Sequence, residues 1–108
     1  MTYHQGLADR WRAMPLVEQM ANIGSEVDRA LNWKAKSNNP FCQKAVDRAL
    51  ELLDLSLQST PEPSRRKELS LVREGLVDYF SGPNQYRSTD ESWHKYFLYF
   101  ALALRKNT

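Results

Sequence analysis

Ser88-Thr-Asp-Glu-Ser-Trp93-His-Lys-Tyr-Phe-Leu98-Tyr-Phe-Ala-Leu-Ala-Leu-Arg105 is the stretch that decides the fold class of this chain. It opens as a capping box, Ser88 with Glu91 three residues on, and then runs apolar around nearly the whole helix circumference. A helix of that composition does not sit on a water-facing surface. It belongs at the centre of a bundle or at a subunit interface.

Three more helices read out upstream of it. Leu69, Val72, Leu76, Tyr79 and Phe80 share one helical face, with Ser64 as the expected cap. Ser81-Gly82-Pro83 ends that helix, glycine taking the left-handed residue and proline barring continuation. Pro61 and Pro63 make 58–63 a loop. Before it, Asn39 caps and Pro40 begins a helix running to about Leu57. Its apolar arc is wide: Phe41, Cys42, Ala45, Val46, Ala49, Leu50, Leu52, Leu53 and Leu57, opposite Lys44, Asp47, Glu51 and Asp54. Pro15 to about Lys36 carries the stripe Leu16, Met20, Ile23, Val27, Ala30 and Leu31. Gly24 beside that stripe either admits a neighbouring helix or costs about 1 kcal/mol against alanine. Short loops between helices of similar length imply antiparallel neighbours. The expected fold is all-α: an antiparallel up-down-up-down four-helix bundle over 15–108, with 1–14 as an N-terminal arm, in one domain.

The chain has 108 residues, 42% hydrophobic and 26% charged, which suits one globular core. Lys+Arg 15 against Asp+Glu 13 leaves a net charge of +2, a balance that announces neither a nucleic-acid nor a membrane partner. The single cysteine, Cys42, excludes an internal disulfide and fits a reducing, cytoplasmic setting. Met1 to Met14 has no apolar signal-peptide core, and the longest apolar run, Tyr96 to Leu104, falls far short of the ~20 residues that span a bilayer.

Some apolar residues face the wrong way. With Trp93, Phe97, Phe100 and Leu104 defining the core side of the last helix, Leu98 and Leu102 point nearly opposite and Tyr99 lies close to them. Trp33 falls among Asn22, Glu26 and Arg29, and Trp11 belongs to no stripe. Either the arm folds over the last helix and covers these groups, or Trp11, Trp33, Leu98, Tyr99 and Leu102 form a subunit interface. The expectation is a homo-oligomer, first of all a homodimer.

Little chemistry is clustered. His4 and His94 are distant and Cys42 stands alone, so no metal is assigned. No glycine-rich phosphate loop is present, and no cofactor is assigned. Arg65-Arg66-Lys67 sits at a helix N-terminus, where cations oppose the macrodipole. That points to an anion or RNA backbone, unless Glu62, Glu68 and solvent compensate.

Arg87-Ser-Thr-Asp-Glu-Ser-Trp-His94 places a histidine six residues beyond an arginine. The element resembles the Arg-x(4–6)-His motif of the HEPN superfamily, small all-α bundles that include metal-independent endoribonucleases and partners of minimal nucleotidyltransferases. The resemblance implies that Arg87 neutralises phosphate charge and His94 moves a proton. The other reading of His94 is a hydrogen-bonded structural histidine. Blocks 48–55 and 78–86 resemble short helical-bundle proteins of prokaryotes, with no activity attached. The leading expectation is a non-catalytic, self-associating interaction protein with a possible protein partner. The alternative is a HEPN-like RNA-acting protein or nucleotidyltransferase partner.

Overall fold

Met20, Ile23, Val27 and Ala30, the expected stripe, are fully buried, and they lie on the helix around which the rest assembles. The computed structural model describes residues 5–106. His4 and residues 107–108 lie outside the described residues. Five helices follow in order: α1 (Gln5–Ala13), α2 (Leu16–Ala35), α3 (Asn39–Ser59), α4 (Pro63–Ser81) and α5 (Asp90–Lys106). There is no strand among the described residues, so the fold is all-α. α2 packs against α3 and α5, while α4 and α1 both lie on α3. No described helix is long and apolar enough to cross a membrane.

The part of the arm that is described is itself a helix, α1, and it lies on α3 rather than over α5. It therefore does not cover Leu98, Tyr99 and Leu102. Trp11, which fits no stripe in the sequence, is 3% exposed and joins the main core. Its indole Nε1 donates to Ser56 Oγ at 2.9 Å, a buried bond across 45 residues of sequence. Gln19 Nε2 in turn donates to the carbonyls of Trp11 at 2.8 Å and Met14 at 3.3 Å, which fixes the α1–α2 corner. A helix as short as α1 is marginal alone, so its order comes from this docking.

The core continues through Leu52, Leu53 and Leu55 of α3, Leu69, Val72 and Leu76 of α4, and Trp93 and Phe97 of α5. Each such side chain contributes about 1.5–3 kcal/mol. Phe41 departs from the expected apolar arc and is 45% exposed. The central helices are α2 and α3; α5 is peripheral, seated on α2 through Phe97 against Gly24.

Each expected cap is displaced. Asn38, not Asn39, caps α3, its Oδ1 accepting from Phe41 N at 3.1 Å. Glu62 precedes α4 with Pro63 in the first turn, and Ser64 Oγ donates to Glu62 Oε1. The box at α5 is Thr89 with Ser92: Ser92 N donates to Thr89 Oγ1 and Thr89 N to Ser92 Oγ, both at 2.9 Å. Glu91 instead pairs with Lys95. Gly82 is not left-handed, with φ −111°; among the described residues the left-handed ones are Ser37, Asn84 and Arg87. Glycine is needed at 82 because a Cβ there would stand 3.0 Å from the Asp78 backbone.

Candidate functional site

Asn38 joins α2 to α3 from both sides. Its N–H donates back to Trp33 O at 2.9 Å, and Ser37 N donates to Lys34 O at 3.0 Å, with Ser37 in the left-handed conformation. This is a Schellman ending built on serine. The same Asn38 then caps α3 through Phe41 N. One residue thus holds the backbones of Trp33 and Phe41, and their rings meet edge to face with centroids 4.8 Å apart.

The surrounding side chains are basic. Lys36 Nζ lies 5.2 Å above the Trp33 ring and Lys44 Nζ 5.5 Å above the Phe41 ring. An open pocket of about 370 Å³ is lined by Glu26, Arg29, Trp33, Phe41, Lys44, Ala45 and Arg48. Arg29 Nη1 donates to both oxygens of Glu26, at 3.0 and 3.1 Å. The sequence places Trp33 correctly beside Glu26 and Arg29. It misses Phe41, Lys44 and Arg48 because they come from the next helix.

α5 presents the second candidate. Leu98, Tyr99 and Leu102 are 38%, 68% and 51% exposed. The Glu91–Lys95 ion pair borders this face at one end, and Arg105 and Lys106 stand at the other.

His94 is exposed on the side of α5 that faces α2, its Nδ1 3.0 Å from Asp28 Oδ1. The groove there is lined by Asp28, Leu31, Asn32, Ala35, Asp90, Glu91 and His94. Arg87 is exposed in the α4–α5 connection and does not line this groove. A phosphate drawn to His94 would meet three carboxylates. Asp90 is held by Lys34 Nζ at 2.8 Å, and Lys34 also donates to Tyr79 OH at 2.9 Å while Tyr79 OH donates to Asp90. The lysine hydrogen bond lowers the Asp90 pKa, and the bond to Asp90 raises that of Lys34. This trio ties α2, α4 and α5 together.

The Arg65-Arg66-Lys67 cluster is largely engaged within the chain. Arg66 Nη1 donates to Leu57 O and, at 3.2 Å, to Thr60 O, closing the C-terminal end of α3. Arg65 Nε donates to Glu62 Oε2 at 2.9 Å, which counters the unfavourable helix-end position. Lys67 is exposed. A groove of about 380 Å³ between α4 and α5 is lined by Leu71, Val72, Trp93 and Tyr96 among others, with Tyr96 OH donating to Glu68 Oε2 at 2.8 Å. Burial, reinforced by that bond, pushes the Tyr96 phenol far above its ordinary pKa. Among the described residues no group of three or more His, Cys, Asp or Glu is placed to hold a metal ion.

No protein-family model matches the chain, and comparison with curated proteins and with solved structures gives no significant match.

Proposed function

We propose that this chain is a cytoplasmic, non-catalytic interaction protein that works as a homodimer joined through α5. Its fold in this reading is an up-down-up-down four-helix bundle with α1 as the N-terminal arm. The observation that carries the reading is the exposed apolar face of Leu98, Tyr99 and Leu102, which nothing among the described residues covers.

The charges on that face favour a second copy as its occupant. At 3.6 residues per turn, Glu91, Lys95, Leu98, Leu102 and Arg105 fall within an arc of about 80°. Glu91 and Arg105 stand seven residues either side of Leu98, about 10 Å along the axis. Two α5 helices packed antiparallel about Leu98 bring Glu91 of each copy to Arg105 of the other, with the leucines between. That is the self-complementarity a twofold interface requires. One helix face per copy is a modest interface, of the class that forms weak and transient contacts. Sedimentation from about 1 to about 500 µM tests this, since a self-association equilibrium shifts with concentration. A single species of 12.6 kDa throughout overturns the reading. Leu98→Glu is expected to abolish the dimer, and Glu91→Arg to weaken it unless combined with Arg105→Glu.

A second reading rests on one observation: Asp28 orients His94 through Nδ1 and leaves Nε2 directed elsewhere. On the HEPN-like alternative, His94 moves the proton and Arg87 of a second copy supplies the positive charge. It stands second because carboxylates surround His94. Incubation of the protein with structured and single-stranded RNA tests it; no cleavage that His94→Ala removes ends it.

A further inference from the structure

The geometry points to the Trp33–Phe41 corner as a binding site for single-stranded nucleic acid. The site is independent of the α5 face and of the α5 dimer.

Single strands are bound by two features together: cations that track the phosphates and aromatic faces on which bases stack. Both are present here. Trp33 and Phe41 form an edge-to-face pair at the surface, and Phe41 is nearly half exposed. Lys36 and Lys44 rest over the two rings, where an incoming base would displace them toward its own phosphates. Arg48 on α3 continues the positive charge away from the rings, whereas the charge of Arg29 on α2 is offset by Glu26. Glu26 is the sole carboxylate in the lining, and its two oxygens are taken up by Arg29. Ala45, which is buried, lines the pocket between the charged side chains.

Dimensions set the footprint. Phe41 to Arg48 is seven residues of helix, about 10 Å, which matches about three nucleotides at the stacked rise of 3.4 Å. The next groove along α3 is balanced in charge, with Asp47, Glu51 and Asp54 set among Lys44, Arg48 and Arg73, and Arg73 Nε donating to Asp54 Oδ1 at 2.7 Å. The excess of cations ends at that groove, so the strand runs from Lys36 past the rings to Arg48. An acidic peptide would satisfy the cations but has no use for two ring faces. The rings therefore favour nucleobases over carboxylates. The rigidity of the Asn38 junction holds both rings in place before any ligand arrives.

The test is fluorescence anisotropy of labelled oligo(dT) and oligo(U) with the full chain, at about 50 and about 200 mM salt. The affinity is expected to fall with salt with a logarithmic slope of about −2, corresponding to about three phosphates. Phe41→Ala should weaken binding about tenfold with the slope unchanged, because it removes stacking and no charge. Lys44→Gln and Arg48→Gln should each reduce the slope by about 0.7. Trp11 and Trp93 are buried, so quenching of tryptophan emission by the oligonucleotide should vanish in Trp33→Phe while binding persists. A double variant Arg65→Gln/Lys67→Gln should leave the affinity within about twofold, since those cations lie elsewhere. Circular dichroism checks that each variant is folded. Absence of binding at the lower salt overturns the inference. So does unchanged affinity in Phe41→Ala, or equal competition by an oligoglutamate of matched charge, which would make the surface a site for acidic peptides.

Discussion

Phe97 of α5 rests in the notch that Gly24 leaves on α2: a Cβ placed on Gly24 would stand 2.6 Å from the Phe97 Cβ. Trp93, one helical turn earlier, meets Gly75 of α4 more loosely, with ring atoms 3.1 Å from the corresponding Cβ position. The two buried aromatics of α5 thus each face a glycine on a different helix.

These contacts predict a graded series of alanine substitutions. Gly24→Ala should lower stability by about 1–3 kcal/mol, because the obstructing atom is next to the α5 backbone and cannot swing aside. Gly75→Ala should cost less, since the Trp93 ring can tilt. Gly6→Ala meets nothing within 4 Å and should stabilise by up to about 1 kcal/mol. Urea unfolding followed by circular dichroism measures all three, and a stabilised Gly24→Ala would contradict the close α2–α5 approach.

Trp11 anchors α1. Trp11→Ala should cost about 3–5 kcal/mol. Trp11→Phe keeps most of the apolar volume but leaves Ser56 Oγ buried without its donor, at about 1–3 kcal/mol. Adding Ser56→Ala to Trp11→Phe should recover part of that loss. A double-mutant cycle reads the coupling directly, and a coupling near zero would show that the indole N–H contributes nothing.

Ser37 adopts φ 57°, which a glycine adopts without strain. Ser37→Gly should therefore raise stability by up to about 1 kcal/mol. Asn38→Ala should lower it by about 0.5–2 kcal/mol through loss of the α3 cap. Thermal unfolding separates the two by the opposite signs of their shifts in Tm.

The Lys34–Tyr79–Asp90 trio gives stability a pH dependence of known sign. Asp90 is depressed in the folded chain, so its contribution is present above the ordinary aspartate range and is lost as pH falls through its folded pKa. Lys34 is raised, so its contribution is present below the ordinary lysine range and is lost as pH rises through its folded pKa. Both side chains are about half exposed, which keeps the effect within about 1 kcal/mol. Asp90→Asn should flatten both limbs of the stability profile, and an unaltered acid limb would remove Asp90 from this role.

The α2 stripe was legible because spacing of three and four is imposed by the backbone itself. The caps were legible only to within a residue or two. Asn38 and Asn39, or Ser88 and Thr89, are equally able to cap, and only the path of the chain chooses between neighbours. Trp11 was not legible, since its burial depends on Ser56 and on α3, far along the sequence. Gly24 was readable as a possible close approach, whereas the reason for Gly82 was not: its constraint is the nearness of Asp78, not a left-handed turn. The Trp33 corner was half visible. Its α2 members lay on one polar face, but Phe41 read as part of the α3 core arc until the turn brought it beside Trp33.

The shared role of Asn38 sets a rule for how this chain tolerates change. With one residue inserted between Ala35 and Asn39, no single residue could both close α2 on Trp33 O and cap α3 at Phe41 N. The packing of Ala45 and Val46 on Ala30, and the placing of Phe41, Lys44 and Arg48 beside Trp33 and Arg29, depend on that junction. Connector length is therefore under the same constraint as core composition, and an insertion-tolerance scan should show a gap at these few positions even though most of them lie at the surface.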